Sequence, residues 1–132
     1  MLELSIQTER RTQLVDITAQ VSAGLAGRQS SAVVVFVPHT TAGLVLQASG
    51  AGASAVAADI ETALQRIVDE EWNWQHTAEG DRNPWAHVRA ALSASSLTIP
   101  VTEGALALGA FQSVFLCEFD GPRERTVRLT LL

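Results

Sequence analysis

The sequence predicts a single compact α+β domain, in which one long and two shorter helices pack with a mixed β-sheet or sandwich. Because a chain of 132 residues buries one hydrophobic core and not two, we expect one domain over residues 1–132. The composition, 47% apolar and 17% charged, is that of a globular protein. Segments with strand-like and helix-like periodicity follow one another along the chain, without an internal repeat or a low-complexity linker.

The first half of the chain predicts strands around one helix. Residues 2–6 alternate apolar and polar side chains, as in an edge or half-buried strand. A helix should follow, with Asp16 as its N-cap and Gly27 at its end. Residues 32–37 form a continuous β-branched and aromatic run, typical of a strand covered on both faces, and residues 44–46 predict the returning strand.

The second half predicts two helices and then strands. Ser54 or its neighbours should start the longest helix, since apolar residues recur from there at helical spacing as far as residue 68. Residues 72–84 lose that periodicity and read as a polar loop. Asn83 followed by proline predicts a helix N-terminus, and hence a short helix over residues 85–94. The remaining predicted strands are residues 97–101, 105–108, 113–119 and 126–132.

The net charge and the cysteine content limit the function classes. Nine basic and fourteen acidic residues give a formal charge of −5, which provides no general attraction to nucleic acid or an anionic membrane. No apolar stretch is long enough to span a bilayer, and the first residues do not form a signal peptide. Cys117 is the only cysteine and lies in an apolar run, which predicts a packed thiol and no internal disulfide. We therefore expect a soluble cytoplasmic protein that binds anions only through a local positive cluster.

The three histidines are the first candidates for chemistry, because each lies in a short polar window beside an apolar run. Imidazole exchanges protons near neutral pH and ligates metals. His76 and His87 flank a loop that contains Asp81 and Asn83, and this loop and helix start could meet His39 at one cleft. A single histidine near a strand end is more often a hydrogen-bonded structural residue, and three together favour a site.

A zinc site is one alternative for these histidines. Three imidazoles around Zn²⁺ leave a fourth position for a bound water that attacks at neutral pH, as in a metal-dependent hydrolase. Ligand pairs on a helix fall three or four positions apart, and no two of His39, His76 and His87 have that spacing. The pattern therefore signals zinc only weakly.

A second constellation, of acids and arginines, surrounds a predicted tight turn between the last two strands. It contains Glu118, Asp120, Arg123 and Arg125. Two guanidinium groups beside a turn are suited to phosphate or carboxylate oxygens, although charged hairpin turns are common without any ligand. Thr40, Thr41 and Gly43 could supply hydroxyl and backbone N–H donors to the same anion. Gly43 could equally be present because glycine adopts backbone conformations that other residues disfavour.

Three tryptophans bracket the polar loop, namely Trp72, Trp74 and Trp85. Tryptophan in such a position usually forms core or subunit contacts. The alternative is that one of the three indoles walls a pocket for a flat heterocycle.

Taken together, these motifs resemble the YjbQ family, also called UPF0047. The resemblance covers most of the chain in the family's order, and its combination of motifs is far more specific than any one of them. The motifs are His39-Thr40-Thr41-Ala42-Gly43-Leu44, Gly80-Asp81-Arg82-Asn83 to Ala86-His87, Ser95 to Val101, Gly104 with Leu106, Leu108, Gly109 and Gln112, and Glu118 to Arg125.

The resemblance implies a compact α+β fold assembled as a homotrimer, with a polar pocket. It also implies weak activity as a secondary thiamine-phosphate synthase, which joins a hydroxymethylpyrimidine diphosphate to a thiazole phosphate and releases pyrophosphate. The pocket residues carried over are His39, Thr40, His76, Asp81, Asn83, His87, Glu118, Asp120, Arg123 and Arg125. Two departures are Gln47-Ala48-Ser49, where members usually carry an acid, and Phe111, where they commonly carry tryptophan in Gly-Thr-Trp-Gln.

The leading hypothesis is thus a small transferase acting on phosphorylated heterocycles. Arg123 and Arg125 would hold phosphate, and His39 would donate a proton or hydrogen bond to the departing pyrophosphate. Asp81 or Glu118 would orient an imidazole or bind Mg²⁺ carried by the diphosphate, and no organic cofactor is expected. The alternatives are the three-histidine hydrolase, which would need Zn²⁺, and a non-catalytic binder of a small phosphorylated ligand.

Overall fold

The computed structural model describes residues 1–78, 80 and 82–132. Over this part of the chain, the order of elements alternates strands and helices before a final group of strands. The elements are β1 (Leu2–Gln7), β2 (Gln13–Asp16), α1 (Thr18–Leu25), β3 (Ala32–Phe36), β4 (Ala42–Ala48), α2 (Ala53–Ile67), α3 (Pro84–Leu92), β5 (Ser96–Thr102), β6 (Ala105–Leu106), β7 (Gln112–Glu118) and β8 (Glu124–Leu131).

The strands form two sheets. The larger sheet has the order β1-β8-β3-β5-β6 and the smaller one the order β2-β7-β4. The pairings that define these orders are all antiparallel. With one helix of 15 residues and two of 8 and 9, the predicted α+β class and its one long and two shorter helices are confirmed. None of the helices in the described residues is long and apolar enough to cross a membrane.

The main hydrophobic core joins both sheets to α1. Its side chains come from the inward parity of the strands, which is why alternating residues of β8, β3 and β5 are buried while their neighbours are not. Burial of this apolar surface is the main contribution to stability. The core contains Ile6, Ile17, Val21, Leu25, Val33, Val35, Val37, Ala42, Leu44, Ile99, Val101, Val114, Leu116, Val127 and Leu129.

A second, smaller core lies on the other face of the three-stranded sheet, beneath α2 and α3. Strand β7 contributes to both cores, since Val114 and Leu116 enter the first while Phe115 and Cys117 enter the second. Burial raises the pKa of the Cys117 thiol to about 12, so this cysteine is the packed, protonated residue that the sequence predicts.

The expected burial of β3 on both faces was wrong, and one strand was missed. Strand β3 is buried on one face, whereas the face that carries Phe36, which is 39% exposed, is not covered by the helices of the described residues. Strand β2 was not predicted at all. It is four residues long and pairs only with β7 at the edge of the smaller sheet, and so short a strand carries too little alternation to be recognised.

The helix boundaries agree closely with the sequence. Helix α1 begins at Thr18, and the prediction of Asp16 as its N-cap was wrong by one residue, since Ile17 is the N-cap. The Asp16 carboxylate accepts a hydrogen bond of 3.0 Å from the Thr18 N–H. Gly27 has a φ of 70°, the left-handed conformation expected after the helix. Asn83 is the N-cap of α3 and Pro84 opens that helix, as predicted.

Candidate functional site

A cleft of about 450 Å³ brings together residues from three distant parts of the sequence. They come from the loop between β3 and β4, from the start of α3 with the loop before it, and from the turn before β8 and that strand itself. We call it the anion cleft, after the sequence-based prediction that its arginines bind an anion. It is lined by Pro38, His39, Thr40, Thr41, His76, Asn83, His87, Arg123 and Arg125.

Beneath this cleft, Glu118 at the end of β7 forms a buried ion pair with Arg125 of β8. Arg125 donates from Nε to Glu118 Oε1 over 2.9 Å and from Nη2 to Oε2, and both residues are at most 2% exposed. This two-point geometry holds the guanidinium in one orientation. Among the described residues the hydrogen bonds of Arg125 involve Nε and Nη2 and not Nη1, and its side chain lines the cleft.

Glu118 remains ionised in this position. Burial by itself raises its pKa, but hydrogen bonds from Arg125, the Asp120 N–H and the Thr8 hydroxyl together outweigh burial and lower the pKa below its usual value. The carboxylate is fully buried, and its two oxygens accept hydrogen bonds from Thr8, the Asp120 N–H and Arg125. The structure therefore places Glu118 as the group that positions Arg125, with its oxygens already used inside the protein.

Thr41 fixes the other side of Arg125. Its hydroxyl accepts from Arg125 Nη2 over 2.8 Å, and its carbonyl accepts from the Phe119 N–H over 3.1 Å. Thr41 is 5% exposed, whereas its neighbour Thr40 is exposed on the cleft wall. Of the two threonines predicted to bind an anion, Thr40 is the one whose hydroxyl is available, while Thr41 holds the arginine.

Gly43 permits close packing of β4 against the segment that follows α3. A Cβ on Gly43 would lie 2.9 Å from Ser93 Cβ and 3.0 Å from the Ala94 carbonyl oxygen, and its φ is not positive. The glycine is thus needed for close approach, not for backbone freedom. The same segment pairs Leu44 with Ala94 through two hydrogen bonds, which anchors the end of α3 against β4.

A chain of polar contacts crosses the cleft from the arginine turn to the polar loop. Arg123 donates to Asp120 Oδ2 from Nη2 over 2.7 Å, and Asn83 Nδ2 donates to the same oxygen over 2.7 Å. The Asn83 Oδ1 atom lies 3.0 Å from His76 Nε2. We call these four residues the Arg123–Asp120–Asn83–His76 chain. Asp120 therefore links the two walls of the cleft through Oδ2, so that this oxygen is already hydrogen-bonded within the protein.

This chain fixes proton positions. Because a carboxylate only accepts, Asn83 must turn its amide nitrogen toward Asp120 and its carbonyl oxygen toward His76. His76 then carries a proton on Nε2. The Asn83 side chain makes no cap hydrogen bond to α3, although its backbone occupies the N-cap position, so the residue that the sequence marks as a helix start serves the site with its side chain.

His39 accepts a hydrogen bond from the backbone N–H of Thr126 through Nε2, over 2.9 Å. Its pKa is lowered, first because burial disfavours the charged form and second because Arg125 is nearby. His39 is therefore neutral near pH 7, with its proton on Nδ1. In this state it donates a hydrogen bond rather than acting as a strong acid.

His76 and His87 lie together, with ring centroids 5.2 Å apart and rings edge to face. All three histidines line the anion cleft. Within the part of the chain that the structure describes, however, no three His, Cys, Asp or Glu side chains form a group that could hold a metal ion. The geometry thus supplies no preformed three-histidine zinc site there.

Thr8, at the end of β1, was missed by sequence reasoning. It is 1% exposed, its hydroxyl lies 2.8 Å from Glu118 Oε1, and it accepts from the Arg123 N–H over 2.9 Å. Its position in the alternating pattern could have revealed it. Thr8 continues the inward-facing positions of β1, where an apolar residue is expected. Asp81, a predicted catalytic residue, lies outside the described residues.

Comparison with known proteins identifies the family. The family model described as "UPF0047 protein YjbQ-like" matches residues 2–132. The chain belongs to the YjbQ/UPF0047 family. A UPF0047 protein of Methanothermobacter thermautotrophicus is 37% identical over 131 residues, which are 98% of this chain and 89% of that protein.

Solved structures of YjbQ/UPF0047 proteins share the fold. A protein from Clostridium acetobutylicum, described as an uncharacterized member of the family, superposes with a TM-score of 0.91 at 33% identity and full coverage of both chains. A conserved hypothetical protein from Thermus thermophilus gives a TM-score of 0.89 at 36% identity, again with full coverage. These likenesses confirm the predicted family and fold class.

Proposed function

We propose that this YjbQ/UPF0047 chain is a transferase for phosphorylated heterocycles, with thiamine-phosphate-synthase-like activity of a weak or secondary kind. The observation that carries the proposal is the anion cleft, in which two guanidinium groups are held from behind by carboxylates and meet a neutral imidazole. Its volume of about 450 Å³ is in the range of small-molecule sites.

The two arginines would bind the phosphate groups. Arg125 offers Nη1 from a fixed guanidinium, and Arg123, whose side chain is 50% exposed, offers its own Nη1 beyond its pair with Asp120. Asp120 and Glu118 pair with the two arginines but leave the Nη1 atoms open to a ligand. The site therefore favours a ligand with several anionic oxygens. Thr40 adds a hydroxyl at the cleft wall.

The reaction needs leaving-group stabilisation more than proton transfer. The thiazole nitrogen supplies an electron pair to the pyrimidine methylene carbon, the new C–N bond forms, and the C–O bond to the diphosphate breaks with its electrons going to that oxygen. His39 Nδ1–H donates a hydrogen bond to the departing diphosphate, while the arginines bind the negative charge. Mg²⁺ enters as part of the diphosphate substrate.

The test is formation of thiamine phosphate from the two precursors with Mg²⁺. We expect His39→Ala and Arg123→Ala each to lose at least about tenfold in rate, as for removal of one transition-state donor. Arg28→Ala is the matched control, because Arg28 is exposed in the turn after α1 and does not line the cleft. Full activity in both folded cleft variants would refute the transferase.

Two measurements separate the alternatives. If calorimetry shows that the precursors bind but no thiamine phosphate forms, the chain is a binder of phosphorylated ligands and not a synthase. Elemental analysis of untagged protein addresses the hydrolase, since stoichiometric zinc at a site lost in His39→Ala would support a metal-dependent enzyme.

We further propose that the chain works as a homotrimer. In the single chain, several large apolar side chains are exposed, with Phe111 at 79% and Leu92 and Ile67 at 59%. Sedimentation equilibrium should give three times the 14.1 kDa of one chain. Phe111→Asp should shift the mass toward a single chain, and Phe111→Trp, which introduces the family's usual residue, should keep the trimer. A wild-type mass of 14.1 kDa would contradict this proposal.

A further inference from the structure

A second cavity, of about 490 Å³, adjoins the anion cleft, and its walls are mostly apolar. We call it the apolar compartment. Its main surfaces are the Trp74 indole, Pro84 and Val88. The two cavities share His76 and His87, which line both. The two cavities are therefore neighbours of opposite character, with His76 and His87 between them.

The two shared histidines form the boundary. Their rings meet edge to face with centroids 5.2 Å apart, and the Arg123–Asp120–Asn83–His76 chain positions the first of them. His87 lies in the first turn of α3, one position before Val88. A ligand that spans both cavities would therefore contact these imidazoles.

The apolar compartment is formed by side chains that are held in place. The Trp74 Nε1 donates to the Glu70 carbonyl over 3.2 Å, and its ring packs on Trp72 with centroids 5.5 Å apart. Pro84 and Val88 are four positions apart and lie on the same side of α3. These contacts orient the apolar wall before a ligand arrives.

We propose that the apolar compartment binds the aromatic ring of a phosphate ester whose phosphate occupies the anion cleft. The inference rests on the proposed function and adds the subsite that selects the heterocycle. A flat ring fits the combination of an indole face, a proline and imidazole edges, since aromatic groups gain from offset and edge contacts. The amides of Asn73 and Gln75 at the wall would meet heteroatoms of the ring.

The test uses two probes that differ only in the ring. Phenyl phosphate and methyl phosphate present the same phosphate monoester, and calorimetry measures the dissociation constant of each. Because the phenyl group buries far more apolar surface than a methyl, we expect wild-type protein to bind phenyl phosphate about tenfold or more tightly than methyl phosphate. Equal affinities would overturn the proposal.

A matched pair of variants locates the effect. Val88→Trp should fill the apolar compartment and reduce the phenyl preference to less than about twofold, while methyl phosphate binding stays unchanged. Ala91→Trp introduces the same indole three positions further along α3, at an exposed position that does not line the compartment, and should keep the preference. Equal behaviour of the two variants would also overturn the proposal.

These binding measurements are independent of turnover. If phenyl phosphate is preferred through Val88 but no thiamine phosphate forms, the subsite stands and the transferase fails. If thiamine phosphate forms at a rate unchanged by Val88→Trp and the phenyl preference is absent, the subsite fails and the transferase stands. If neither ester binds, the anion cleft on which both depend is refuted.

Discussion

Glu118 and Arg125 form a two-point ion pair that is buried beneath the candidate site, and the arginine extends from it into the cleft. The pair joins the end of β7 to β8 and therefore connects the two sheets. Hydrogen bonds from the Thr8 hydroxyl and the Asp120 N–H further restrict the orientation of the Glu118 carboxylate. The orientation of the Arg125 guanidinium is thus set by groups in the interior of the protein.

Replacing the buried acid should destabilise the protein strongly. In Glu118→Gln the Arg125 charge remains buried without its partner, and loss of one member of such a pair costs about 3 kcal/mol or more in free energy of unfolding. Urea denaturation at pH 7 measures it. Glu9→Gln, at an exposed position, should change little. An equal effect of the two substitutions would contradict the structural role of Glu118.

The pH dependence of that variant provides a second check. The folded pKa of Glu118 lies below its usual 4.5, so its contribution is present above that value and is lost as pH falls through the folded pKa. The stability difference between wild type and Glu118→Gln should therefore shrink in the acid range below pH 4.5.

His39 should make the protein less stable as pH falls below neutrality. Its folded pKa lies below 6.5, so the unfolded chain takes up this proton first, and the free energy of unfolding decreases as pH drops through 6.5 toward the folded value. Wild type and His39→Gln should be unfolded with urea at several values between about pH 8 and about pH 5. In the variant, the free energy of unfolding should fall less steeply as the pH decreases. Identical pH dependence in the two proteins would argue against a neutral His39.

Asn83 allows a test of whether its side chain serves the helix or the site. Asp and Asn are about equally good N-caps, so a capping role predicts that Asn83→Asp is mild and Asn83→Ala is worse. The structure predicts the reverse, because a carboxylate at residue 83 would face Asp120 at the present 2.7 Å contact. We expect Asn83→Ala to cost about 1 kcal/mol in free energy of unfolding and Asn83→Asp more. Thermal and urea unfolding of both variants decides between the two orders.

Gly43 should not tolerate a side chain. Gly43→Ala places a methyl against Ser93 and the Ala94 carbonyl, and such overpacking costs about 2 kcal/mol in free energy of unfolding. Ser93→Gly removes the nearer obstacle, so the double variant should recover part of that loss. Additive effects of the two substitutions in urea would contradict the close approach.

Much of this protein was determined by its sequence alone. The positions of α2 and α3, the edge strand β1 and the buried strand β7 follow from local patterns of apolar residues, which act over a few neighbouring positions. The family followed from motifs in their order. Except for Pro38, the side chains lining the cleft were also among the candidates, since reactive residue types at strand and helix ends are visible in a sequence.

Only the tertiary structure decided what each of those residues does. Whether Glu118 faces a ligand or an arginine, and whether Asn83 caps a helix or bridges Asp120 to His76, depends on partners tens of residues away. The same holds for the adjoining apolar compartment. Hydrogen-bond and ion-pair energies fall off within a few ångströms, so the roles were settled by the packing that brings distant segments into contact, which local periodicity does not encode.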